Sequence, residues 1–149
     1  MTPALKNSFA LMAAILFVCC THTSCDARSL TDGTFVGMEP MTNLSADEPG
    51  TAWFHQNTLV IKGGHATLDK IPVWTKAGKL VYSASDGGFY TYQGTVESIA
   101  GHCILHLKLT ASDYVPVATR DRNASKELEV ALNADGSLLI EGIRYRRKK

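Results

Sequence analysis

From Thr31 onward, apolar and polar residues alternate with a period of two. In residues 102–109, Cys103, Leu105, Leu107 and Leu109 fall on one side, and His102, His106 and Lys108 on the other. In 127–132, Leu128, Val130 and Leu132 oppose Glu127 and Glu129. A chain of this pattern forms strands with one dry face and one wet face. No window shows the 3.6-residue period of a helix. The alternation predicts eight strands, over 33–38, 52–62, 65–74, 79–85, 88–97, 102–109, 127–132 and 137–146. Two of them carry a predicted irregularity. Pro72 breaks the third strand near its end, and Gly142 marks a bulge that moves the buried parity from Leu138 and Ile140 to Ile143 and Tyr145.

The segments between these strands are turn chemistry. Gly63-Gly64 separates two runs by two residues, a hairpin signal. Lys76-Ala77-Gly78, Asp86-Gly87-Gly88 and Ala134-Asp135-Gly136 each supply a glycine for a backbone that must turn sharply. Short turns between neighbours imply an all-β, eight-stranded antiparallel up-and-down meander. Closure into a small barrel is expected, because closure removes the exposed edges of an open sheet. A two-sheet β-sandwich is the alternative. In architecture the plan is similar to small lipocalin-type barrels and to the small β-barrel inhibitors of bacterial cell envelopes. The residues carry no family signature, and a fold does not by itself give a function.

The N-terminus changes the setting. Lys6 precedes an apolar run from Phe9 to Val18, followed by small and polar residues to Ala27. That is the layout of a cleavable secretory signal, too short to span a bilayer. The expected organisation is a signal peptide over 1–27 and a single β-rich domain over 28–149, exported to the periplasm or secreted, with no transmembrane segment. Cleavage after Ala27 would leave Cys103 as the only cysteine. Cleavage before Cys25 would keep a Cys25–Cys103 disulfide available, or place a lipid anchor on Cys25. Charge is balanced, with 15 Lys and Arg against 14 Asp and Glu. Arg144, Arg146, Arg147, Lys148 and Lys149 nonetheless crowd the C-terminus into a basic tail. For an exported chain the expectation is a solvated end and no nucleic-acid partner.

Candidate chemistry is sparse. His102 and His106 flank Cys103, but on a strand they lie about 13 Å apart, too far to share one metal ion. Ser83 and Ser85 near Asp86 lack the elbow and base that a nucleophile needs. No catalytic residue, metal site or cofactor is expected. Two long connections, 39–51 and 110–126, are the kind that carry function. In a meander, connections alternate between ends. That reading puts Gly63-Gly64, the Asp86–Gly88 turn and 110–126 at one end, and the acidic 39–51 connection at the other. Asp86, Tyr90, Tyr114, Arg120 and Arg122 then form a candidate binding rim. The expected function is a non-enzymatic protein-binding module of the cell envelope, inhibitor or immunity-type, whose partner is another envelope or secreted protein. The alternative is a carrier of a small apolar ligand inside the barrel.

Overall fold

The computed structural model describes residues 30–42, 48–81, 89–99, 102–113 and 124–149. Among them are nine strands and no helix: β1 (Gly33–Pro40), β2 (Thr51–Lys62), β3 (His65–Lys76), β4 (Lys79–Val81), β5 (Tyr90–Ile99), β6 (His102–Ser112), β7 (Ser125–Leu132), β8 (Leu138–Ile140) and β9 (Ile143–Arg147). All pairings are antiparallel. Eight strands follow one another round a closed barrel, β1-β2-β3-β5-β6-β7-β8-β9, and β9 returns to β1 through Phe35↔Arg147 and Val36↔Arg146. β4 is the additional strand.

The barrel has its expected eight strands, but not the eight that the alternation marks out. The run at 137–146 is a hairpin, not one bulged strand. Ile140 faces Ile143 across a two-residue turn, Glu141-Gly142, with φ of 50° and 79°. Positive φ at both turn residues matches the right-handed twist of the flanking strands. Gly63-Gly64 and Ala77-Gly78 turn the chain in the same way.

The second difference concerns the fourth strand. β4 pairs with Trp74–Lys76 of β3, and β5 pairs with His65–Lys70 of the same strand. The two therefore occupy one place in the barrel, one after the other, and do not form a hairpin across Asp86-Gly87-Gly88, which lies outside the described residues. Pro72 sits within β3, opposite His55, where the ladder passes from β5 to β4. It has no N–H to lose there. β3 continues past it to Lys76.

One strand fewer between the long connections reverses part of the end assignment. Gly63-Gly64 closes the lower end. The Ala77-Gly78 turn and the described flanks of the two long connections, residues 41–42 and 48–50 and residues 113 and 124, lie at the upper end, contrary to the expected separation of the acidic connection. The flanks support this placement. The Ala77 N–H donates to the Gly50 carbonyl at 2.8 Å, and the Phe89 N–H donates to Asp113 Oδ1 at 2.8 Å.

The lower barrel is filled. Leu59, Leu105, Leu107, Leu138, Ile140 and Val130 are fully buried, with Phe35, Leu68, Leu128 and Tyr92 packed around them. Eight strands enclose an interior that side chains can just fill, and these residues fill it. Cys103 is buried among them and is disulfide-bonded. The other cysteines, Cys19, Cys20 and Cys25, lie outside the described residues.

Candidate functional site

The apolar faces of the strands do not stay apolar to their upper ends. In β1 the inward parity of Phe35 and Gly37 continues to Glu39. In β2, Leu59 and Ile61 share their side with Asn57 and His55. In β3, Ala66 and Leu68 lead to Lys70, and in β7, Val130 and Leu128 lead back to Lys126. Each of these four strands thus turns a polar or charged group into the barrel as it leaves the filled half. Together they ring the mouth.

These groups are joined. Lys70 Nζ lies 2.6 Å from Glu39 Oε2, with the two side chains 13% and 32% exposed. Asn57 Nδ2 donates to Glu39 Oε2 at 3.0 Å and approaches the Tyr145 hydroxyl at 3.0 Å. Asn57 is itself buried. Burial works to raise the Glu39 carboxyl, but hydrogen bonds from Lys70 and Asn57 more than reverse it and hold it below the usual carboxylate range. The Tyr145 phenol is pushed up to about 12 by burial, against the opposing hydrogen bond to Asn57. His55 is half-buried, and burial together with the Lys70 charge holds its imidazole below its ordinary value.

Across the mouth, the Lys126 ammonium lies 5.3 Å from the centre of the Tyr92 ring. Tyr92 stacks on Tyr90, with ring centres 6.5 Å apart. Burial, then the charge of Lys70, draws the Lys126 ammonium below its ordinary value. Glu141, in the β8–β9 turn, is close enough to oppose that shift. Beyond the network, the long β2–β3 hairpin carries Trp53 directly opposite Trp74, with ring centres 6.4 Å apart.

Of the expected rim, Tyr90 is placed at this mouth, half-buried at the start of β5. Asp86, Tyr114, Arg120 and Arg122 lie outside the described residues. The groups that do converge, Glu39, His55, Asn57, Lys70, Lys126 and Tyr145, were not among the expected site residues. Their signal was in the sequence, as a polar residue at buried parity one or two steps beyond the last apolar one.

The outer wall has a different pattern. His102 Nδ1 lies 2.6 Å from Glu129, and His106 sits between Glu97 at 2.7 Å and Glu127 at 3.3 Å. These are exposed cross-strand pairs of the kind that stabilise a sheet modestly. Among the described residues no group of three or more His, Cys, Asp or Glu side chains could hold a metal ion, and no helix is long and apolar enough to cross a membrane. At the lower end, a cavity of about 330 Å³ is lined by Leu30, Phe35, Leu132, Leu138, Asp135 and Arg147, among others. Arg147 lies over the Phe35 ring and donates to the Thr31 hydroxyl, tying the incoming chain to β9. No protein-family model, curated protein or solved structure matches this chain.

Proposed function

We propose that this chain is an exported, non-enzymatic binding module of the cell envelope, inhibitor or immunity-type, that engages another envelope or secreted protein through the mouth end of its barrel. The observation that carries this reading is the division of the interior. Leucines fill the lower half, while polar side chains reached by solvent ring the upper half, at the end where the 41–50 and 113–124 connections leave the barrel. Long connections on a rigid scaffold are where binding residues concentrate. The remaining residues of the expected rim, Asp86, Tyr114, Arg120 and Arg122, belong to segments that leave and rejoin the barrel at this end. Glu39, Lys70 and Asn57 are engaged with one another as a structural network, and among the described residues of the mouth no nucleophile stands beside a base.

A carrier of an apolar ligand is less well supported. Side chains fill the centre of the interior, the mouth presents charge, and the cavity at the lower end mixes apolar residues with Asp135 and Arg147. The test is a pull-down from envelope extract with the mature protein, a variant lacking residues 115–122, and a Lys62→Glu variant at the opposite end. Loss of the captured protein on loop deletion, with retention by Lys62→Glu, is the expected result. Equal capture by the deletion variant would overturn the assignment of the face.

A further inference from the structure

We propose that the mouth of the barrel receives a carboxylate, held by the Lys126 ammonium beside the stacked Tyr90 and Tyr92 and met from the opposite wall by the His55 imidazole. This rests on the reading that the mouth end is the binding face, and it names the chemistry which that face takes.

The charges inside the mouth are unequally matched. Glu39 is committed to Lys70 and Asn57. Lys126 is half-buried at inward parity with Leu128 and Val130, and among the described residues no carboxylate oxygen lies within ion-pair distance of its ammonium. Its one close partner is an aromatic face. A cation–π contact compensates only part of what an ammonium loses on leaving water. An arriving carboxylate would supply the rest through a charge-assisted hydrogen bond. The lowered value of Lys126 has the sign expected of a cation awaiting a counter-ion.

The rest of the ring selects the class of anion. His55 lies within electrostatic reach of both Lys70 and Lys126. Its lowered value keeps it largely neutral at neutral pH, so it offers one N–H donor and no second full charge. Glu39 and Glu141 both act on Lys126 from nearby. With Glu39 paired to Lys70, Lys126 is left facing Glu141, so a dianion such as phosphate meets more carboxylate repulsion there than a monoanionic carboxylate does. Lys126 stands just past the end of the 113–124 connection, where the Leu109 N–H donates to the Ala124 carbonyl at 2.7 Å. A carboxylate anchored there sits at the root of the longest loop. It could belong to a small free acid or to the chain terminus or acidic side chain of a partner protein.

The experiment is an NMR titration of the mature protein, following the Lys126 side chain and the His55 ring. The probes are acetate, acetamide, and N-acetyl-Gly-Gly as its free acid and its amide. A saturable shift with acetate and the free-acid peptide, with a Kd of order 10 mM or tighter, and none with the two amides is the expected result. Comparable affinities would point to a free acid as the source. A free-acid peptide binding about tenfold tighter than acetate would point to a partner's chain. Lys126→Met should remove the His55 response while melting no lower than the parent, because it deletes a half-buried cation that has no ion-pair partner among the described residues. No saturable shift with either acid, or an unchanged shift in Lys126→Met, overturns the proposal. Because the probes are small molecules, that failure is separate from the pull-down. A captured protein that is lost on loop deletion while acetate leaves Lys126 unmoved would sink the carboxylate site alone.

Discussion

Gly94→Ala is expected to leave the chain unable to close its barrel. A Cβ built on Gly94 falls 1.7 Å from the carbonyl oxygen of His106 and 3.0 Å from the Leu107 Cα. Both are backbone atoms of β6, held by their own ladder, so the added methyl cannot be relieved by a rotamer change. Gly94 pairs with Ala66 on one side and Leu107 on the other. β5 therefore cannot back away without breaking one of its two seams. A loss of about 4 kcal/mol or more is expected, comparable with the entire stability of many domains of this size. Far-UV circular dichroism and urea unfolding would show a chain without a cooperative transition. Gly37 is the useful contrast. A Cβ there meets the Tyr145 ring at 3.0 Å and an Ile143 methyl at 3.1 Å, which are side chains. Gly37→Ala should cost about 1–3 kcal/mol, as overpacking does, and still fold. Equal, mild effects of the two substitutions would contradict the close crossing of β5 and β6.

How much of this was legible in the sequence depends on the range of the information involved. The antiparallel barrel and its filled core could be read from alternation, because Cys103, Leu105 and Leu107 must share a side whatever their partners are. The Gly63-Gly64 hairpin could be read because its turn chemistry is local. The course of the chain past Val81 could not. Both β4 and β5 are plausible neighbours for β3, and that they share one edge of it is a matter of long-range register. The hairpin at Glu141-Gly142 was hidden for another reason. Glu141 adopts a positive φ that its side chain does not advertise, so glycine alone suggested a bulge. The mouth network was overlooked although its residues were visible. Glu39 falls at the edge of the acidic 39–51 connection, Lys126 at the end of the 110–126 connection, and nothing in the alternation singles out Lys70. Their inward parity was in the sequence, but that charges at this parity would find one another across the barrel was not.

Glu39→Met carries the second largest expected effect. Removing the carboxylate leaves the Lys70 ammonium inside the mouth with its side chain 13% exposed and its partner gone. It also strips Asn57 of one acceptor. Breaking a fully buried pair costs about 3–5 kcal/mol, and the partial exposure of Glu39 lowers the expectation to about 2–3 kcal/mol. The pH dependence has a defined sign. A carboxyl held below its unfolded value binds its proton more weakly in the native state, so its stabilisation is present above the ordinary carboxylate range and is lost as pH falls through the lowered value. His55 acts in the same direction at higher pH, losing its contribution as pH falls below the ordinary imidazole value. The parent should therefore weaken in two stages on acidification, and Glu39→Met should show a smaller second stage, to which the lowered Asp135 and Glu48 carboxyls still contribute.

Everything claimed for the mouth depends on Glu39 and Lys70 meeting inside a closed barrel, and a double-mutant cycle measures that meeting. Urea unfolding of Glu39→Met, Lys70→Met and the double variant should give a coupling of about 1–2 kcal/mol, with the double variant losing less than the single losses combined. Single losses that add to within about 0.5 kcal/mol would mean that the two charges never share the interior, and the mouth described here would not exist.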